Sequence, residues 1–224
     1  MPAKKGPKPN LMYEYQIHHE GYRFVLGMDE AGRGAWAGPV MVGAVCLPLD
    51  QRDLKKLLTD VRDSKVMTPR QRERTVTLIK ETAVAWGVGS ASSTEIDEIG
   101  INPATRLAMQ RALDDTYQRF PHFRADCLFL DALIWPEKAR EYPQISIVDG
   151  DARSLTIAAA SIIAKTARDA FMVELDSELP HYRFVSHKGY GAANHREALK
   201  IYGPSTFHRI SYEPIRKLLA DKEA

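Results

Sequence analysis

In four places this 224-residue chain sets a carboxylate at the end of an apolar run: Asp29-Glu30 behind YRFVLGM, Asp131 behind CLFL, and Asp149 and Asp151 behind ISIV. A single acid there usually marks a strand meeting solvent, because an unpaired buried charge is costly. Several on separate strands carry more weight, since strand ends of an α/β sheet converge on one crevice where ligands bind. Carboxylates gathered there raise one another's pKa values unless a cation sits among them. Ligation by oxygen alone selects a hard ion, Mg²⁺ or Mn²⁺. Magnesium often borrows substrate phosphate oxygens, so the pattern suggests phosphoryl chemistry. Two ions about 4 Å apart would serve the attacking water and the leaving oxygen. The seven histidines form no HxH or HExxH arrangement, and no metal histidine is assigned.

Spacing limits how these acids can meet. Neighbours on a regular strand face opposite sides, so Asp29 and Glu30 share a metal only if the chain turns there; Gly32 and Gly34 supply that freedom. Asp149 and Asp151 stand at i and i+2 on one face, so spacing does not choose between them, and Gly150 loosens even that geometry. Taken alone, Gly32-Arg33-Gly34 is equally a hairpin turn or a loop whose exposed backbone N–H groups approach phosphate closely. Beside the Asp-Glu pair the second reading is preferred, with Arg33 adding a charge-assisted phosphate contact.

The elements that must hold these residues can be read from periodicity. Residues 22–29 and the run VMVGAVCLPL read as strands, AWGVGSASS as a third weakened by its glycines, and CLFLD and ISIVD as two more. Thr68-Pro69 opens a helix running to about Ala85, with Thr68 as its cap. Residues 94–118 read as helical with a break at Asn102-Pro103, and a long helix follows from about Arg153 to Leu179. Two further helices are expected in HKGYGAANHREALKIYG and EPIRKLL. A strand meander followed by strands alternating with helices predicts an α/β layer fold with a mixed sheet. Residues 1–20 read as a flexible leader and 21–224 as a single domain.

Composition sets the class. Hydrophobic residues make up 44% and charged residues 27%, the balance of a soluble globular protein. No apolar run approaches the roughly 20 residues that span a bilayer. The N-terminus has lysines without an apolar stretch behind them, so a secretory signal is not expected and the protein is placed in the cytoplasm. Cys46 and Cys127 lie in apolar runs and read as buried, reduced thiols. A net charge of +2 permits a nucleic-acid partner without demanding one.

Beyond the acids, the chain resembles the ribonuclease HII family. Gly27-Met28-Asp29-Glu30-Ala31-Gly32-Arg33-Gly34 is similar to its G-x-D-E-x-G-R-G signature. In family order come Asp63-Ser64-Lys65, Ala108-Met109-Gln110-Arg111-Ala112, Leu130-Asp131, Gly150-Asp151, Ile157 to Lys165, Arg168-Asp169 and His187-Lys188-Gly189-Tyr190-Gly191. The resemblance implies a ribonuclease H-like mixed sheet flanked by helices, with a C-terminal helical region that clasps duplex. It implies Asp29, Glu30, Asp131 and Asp151 as catalytic metal ligands for Mg²⁺ or Mn²⁺. Gly32, Arg33 and Gly34 would read the ribose, Ser64, Lys65 and Lys165 would contact the substrate, the lysines through phosphate, and Tyr190 would stack near the following deoxyribose. The implied activity is a metal-dependent endonuclease on RNA–DNA hybrids and on DNA duplex with embedded ribonucleotides. It would cut on the 5′ side of the ribonucleotide and leave 3′-OH and 5′-phosphate ends. A monomer with no membrane partner is expected. Asp149 departs from the family, whose members usually carry lysine there. Two rivals compete with this reading: ribonuclease HIII, which usually has a sizeable N-terminal domain that a 20-residue leader cannot form, and a silent hybrid-binding protein, which would have lost acids that this chain keeps.

Overall fold

The computed structural model describes residues 8–62, 64 and 67–223. Asp63, Lys65 and Val66 lie outside the described residues, and with them the expected phosphate contact of Lys65. The elements are α1 (Met12–His19), β1 (Val25–Ala31), β2 (Val40–Cys46), α2 (Leu54–Leu57), α3 (Pro69–Thr82), β3 (Ala85–Ala91), α4 (Ser93–Ile99) and α5 (Ile101–Arg119). They continue with β4 (Cys127–Asp131), β5 (Gln144–Ile147), α6 (Gly150–Arg153), α7 (Leu155–Glu178), α8 (Phe184–His187), α9 (Ala193–Tyr202) and α10 (Glu213–Glu223).

One mixed sheet runs in the order β3-β2-β1-β4-β5. The first three strands form the antiparallel meander, and β4 and β5 add in parallel beside β1. Each face is covered by one long helix. On one face α7 brings Ile157 to Ile163 against Val25, Val45 and Phe129. On the other, α5 packs Ala108, Met109, Ala112 and Leu113 against Leu26, Met28 and Val42. Both helices lie close because the strands offer glycine beneath them. A Cβ on Gly43 of β2 would stand 2.3 Å from the Ala160 carbonyl oxygen, and one on Gly89 of β3 would stand 2.1 Å from that of Ala108. The glycines that weaken β3 as a strand pattern are thus the seats of α5. A third cluster, including Met172, Tyr182, Phe184, Leu199 and Ile215, ties the end of α7 to the C-terminal helices.

Three local expectations need correction. Residues 12–19, placed in the leader by the sequence, form helix α1, which buries Leu11, Glu14 and Ile17. The helix break falls at Gly100, with φ of 82°, and not at Asn102-Pro103. Pro103 sits in the first turn of α5, where its missing N–H has no intrahelical partner to lose. The strand ending in ISIV stops at Ile147, so Asp149 and Asp151 leave the sheet: Asp149 precedes α6 with a left-handed φ of 53°, and Asp151 belongs to α6 itself. Other readings hold. Thr68 and Gln71 form a reciprocal capping box at α3, Cys46 and Cys127 are buried and free, and among the described residues no helix is long and apolar enough to cross a membrane.

Candidate active site

The register of β1 and β4 brings the first two acids together. Met28 pairs with Leu130 in parallel, so Asp29 and Asp131 follow side by side. Asp151 reaches them from α6. One carboxylate oxygen from each of the three lies within 4.8 Å of the others. Asp29 and Asp151 are buried and Asp131 is half-buried. Burial pushes the Asp29 carboxyl well above the usual range, the charges of Glu30, Asp131 and Asp151 push it further, and a hydrogen bond from Ser161 opposes them. Such a group is strained toward protonation as it stands, and a hard cation would relieve it. The donor set is all oxygen and fits Mg²⁺ or Mn²⁺.

Glu30 is not in this group of three. The strand stays regular through Ala31, with Asp29 opposite Gly43 and Glu30 opposite Val42, so the two acids leave the backbone on opposite faces, while the Glu30 charge still bears on Asp29. The turn expected at the Asp-Glu pair comes later, at Gly32, with φ of 96°. Glu30 pairs with Arg33 at 3.6 Å and belongs to the walls of both the acid end and a neighbouring groove. Asp149 is exposed and also stands outside the group.

That groove has a volume of about 1200 Å³ and runs from Glu30 past Gly32, Arg33 and Gly34 to Lys165, Lys188 and Tyr190. Two fully buried arginines build its glycine-rich wall. Arg168 donates to the carbonyls of Ala37, Pro39 and Lys188, and its guanidinium lies 5.3 Å from the Tyr190 ring centre. A Cβ on Gly32 would come within 2.0 Å of Arg168 Nε, so only glycine fits. Arg209 donates to the Gly38 carbonyl and, at 2.7 Å, to that of Arg33, which also accepts from the Tyr212 hydroxyl. The Arg33 side chain does not extend freely into the groove: it donates to Asn102 Oδ1 at 2.8 Å and pairs with Glu30.

The opposite wall comes from one stripe of α7. Ser161 bonds Asp29 on one side and Ser64 on the other, with the two hydroxyl oxygens 3.0 Å apart. Because Ser161 gives its proton to the carboxylate, Ser64 is the donor in that second bond. One turn on, Lys165 donates to Asp169 Oδ1 at 2.6 Å, and Arg72 holds the other oxygen of Asp169 while donating to the Ser64 carbonyl. Burial draws the Lys165 pKa down, against the pull of Asp169. Of the expected residues, Ser64, Lys165 and Tyr190 therefore line one groove with the glycine loop, beside the acids. Ser161, Arg72, Arg168 and Arg209 received no role from the sequence. For α7 the signal was present, since 161, 165 and 168–169 repeat at helical spacing.

The loop carrying Tyr190 rests on stacked imidazoles. His187 and His195 lie 4.3 Å apart and nearly parallel, and His195 Nε2 meets His208 Nε2 at 3.0 Å. The Ser205 N–H donates to His208 Nδ1, and His195 Nδ1 lies 2.9 Å from the Tyr190 carbonyl. That chain closes only with neutral rings: His208 Nε2–H donates to His195 Nε2, and His195 Nδ1–H donates to Tyr190.

A mixed sheet with acids at adjacent strand ends and a helix over them is the ribonuclease H-like arrangement. The family model described as Ribonuclease HII matches residues 26–215. Ribonuclease HII of Roseiflexus castenholzii is 48% identical over 94% of this chain and 91% of its own length, and that of Chlamydia trachomatis 44% over 94% and 91%. The crystal structure of ribonuclease H2 from Pyrococcus horikoshii superimposes with a TM-score of 0.70 at 25% identity, covering 89% of this chain and 99% of that one. Bst-RNase HIII in complex with Mn²⁺ gives 0.70 at 20% identity over 91% and 71%, a likeness of fold alone. The chain belongs to the ribonuclease HII family, and it is a ribonuclease H, an endonuclease acting on RNA–DNA hybrids.

Proposed function

We propose that this enzyme cuts on the 5′ side of ribonucleotides, in hybrids and singly embedded in duplex DNA, and leaves 3′-OH and 5′-phosphate ends by divalent-metal chemistry. The convergence of Asp29, Asp131 and Asp151 within 4.8 Å carries this reading. These three would hold Mg²⁺ or Mn²⁺, and Glu30, at the join of acid end and groove, is the fourth carboxylate, a role with which its pairing to Arg33 competes. Bound there, a pair of such ions supplies the charge that activates a water and stabilises the departing oxygen. The chain's own residues do the rest. Ser161 orients Asp29. The loop at 32–34 and Tyr190 present the face that meets the ribose and the next sugar, which gives discrimination against all-DNA duplex. Lys165 offers charge to phosphate, as does the Lys65 position by resemblance. On this reading helix α1 and residues 21–224 act together as one catalytic unit, as a monomer.

The test is a labelled duplex holding one ribonucleotide, assayed with Mg²⁺, Mn²⁺ or chelator, with the product ends characterised. Cleavage is expected to vanish in EDTA and return with either ion. Asp131→Asn is expected to lower turnover by about 10³-fold or more while hybrid binding persists. Cleavage unchanged by EDTA, or full activity in Asp131→Asn, would remove the metal site from the mechanism.

A further inference from the structure

The turn that carries Asp151 cannot hold itself. Helix α6 has four residues, and a lone helical turn fixes several dihedrals for little hydrogen bonding. Two outside groups grip it. At its start, Gly150 N–H donates to Asp131 Oδ1 at 2.7 Å, so one acid anchors the turn that bears another. At its end the grip comes from the N-terminal segment, ahead of the residues that match the family model. Asn10 N–H donates to the Arg153 carbonyl at 3.1 Å, and Leu155 N–H donates to the Asn10 carbonyl at 2.9 Å. Glu14, wholly buried on α1, accepts the Ser154 hydroxyl at 2.6 Å and the Thr156 N–H at 2.9 Å on one oxygen. Ser154 in turn caps α7 by accepting from Ile157 N–H and closes α6 by donating its own N–H to the Gly150 carbonyl. Arg153 adds a hydrogen bond to the Tyr13 hydroxyl.

Burying a carboxylate costs free energy unless its bonds offset the loss. Here they end on the residues that join Asp151's turn to the long helix. We propose that Glu14 is a positioning residue for Asp151: by fixing Ser154 and the first turn of α7, it sets α6 so that the Asp151 carboxylate meets Asp29 and Asp131. The inference rests on reading those three aspartates as a cation site. A bland alternative is that Glu14 only stabilises the start of α7, as an acid near a helix N-terminus does. The two differ in the effect that removing Glu14 has on metal binding.

The test uses the full chain, with Mn²⁺ binding measured by calorimetry in the absence of substrate and amide hydrogen exchange measured without metal. Glu14→Ala is expected to bind Mn²⁺ about tenfold more weakly, as loss of a group that orients a ligand does. Amides 150–154 are expected to exchange faster while those of β1 and β4 keep their protection, and kcat at fixed metal falls with KM for duplex unchanged. Glu14→Gln keeps an acceptor of the same shape and is expected to recover most of the affinity. Wild-type Mn²⁺ affinity and wild-type exchange at 150–154 in Glu14→Ala, even with a lower melting temperature, would overturn the proposal. If Glu14→Ala does not fold, Ser154→Ala decides by the same two readouts: weaker binding with faster exchange supports it, and wild-type values overturn it. An Mn²⁺ titration of Asp131→Asn that matches that of the wild type would instead overturn the cation site on which the inference stands.

Discussion

The acid group and the glycine loop stand side by side and are built by opposite means. Asp29 and Asp131 stand on adjacent parallel strands, and the sheet's register alone puts them side by side. Gly32-Arg33-Gly34 has no such lattice. Its shape is imposed by two buried guanidiniums, Arg168 from α7 and Arg209 from beyond α9, which take up the carbonyls of residues 33, 37, 38 and 39. Placement by the sheet tolerates change in any one side chain, whereas placement by two arginines does not. The part proposed for chemistry and the part proposed for reading the ribose should therefore come apart under mutation.

Arg168→Lys gives the sharpest separation. Lysine keeps the charge but has no planar fork to serve three carbonyls. The carbonyls of Ala37 and Pro39 then lose buried donors, and a loss of about 3 kcal/mol in stability is expected. KM for a ribonucleotide-containing duplex is expected to rise about tenfold or more, and calorimetric Mn²⁺ affinity is expected to stay within about twofold of wild type. Urea melts, steady-state kinetics and metal titration check the three parts. Metal affinity falling in step with KM would show that loop and acids are one mechanical unit and would break the comparison.

Ser161→Ala probes the reverse direction with a smaller effect. It removes the hydrogen bond to Asp29 and leaves the Ser64 hydroxyl without its acceptor on α7. Mn²⁺ affinity is expected to fall about five- to tenfold, with KM for duplex little changed. A rise in KM at unaltered metal affinity would place Ser161 with the loop instead of the acids.

The same contrast explains what the sequence made legible. Asp29 and Asp131 announce themselves because apolar strands end on them, a local pattern that the sheet then reproduces. Spacing alone could not tell Asp151 from Asp149, and only the family resemblance chose it, since the difference is a left-handed backbone at Asp149 that nothing in the side-chain pattern prescribes. The turn expected at the Asp29-Glu30 pair comes two residues later, at Gly32, because β1 stays paired through Ala31. Arg168, seen only as part of a family block, and Arg209 received no role for a different reason: arginine is ordinarily a surface residue, and only the assembled fold supplies enough buried carbonyls to take it inside. Glu14 and α1 were missed likewise, because the helix carries little apolar pattern and docks through a buried acid. Interactions within one element can be read in a sequence; those between a loop and a distant guanidinium cannot.

The histidine stack beneath Tyr190 gives the smallest and most specific test. Burial lowers His195 to about 4, and burial together with His195 lowers His208 to about 3, from an ordinary 6.5. Each nitrogen of the pair is already committed, so a further proton would set two N–H groups against each other, on His195 Nε2 across 3.0 Å from His208 or on His208 Nδ1 across 2.9 Å from the Ser205 N–H. The sign comes from proton binding: below pH 6.5 the unfolded chain takes up protons that the folded chain refuses, so stability is full above 6.5 and is lost as pH falls toward 4 and then 3. His208→Gln offers an amide in place of the ring and removes one of these titrations. Its melting temperature is expected to be lower than wild type at pH 7.5 and to decline less steeply between about pH 6.5 and pH 4.5. Mn²⁺ affinity at pH 7.5 is expected to be unchanged, because the stack supports the loop side of the groove and makes no bond to the acids. An identical slope in wild type and variant would mean that the imidazoles titrate freely in the folded protein, and the loop would then lack the neutral support that holds Tyr190 in place.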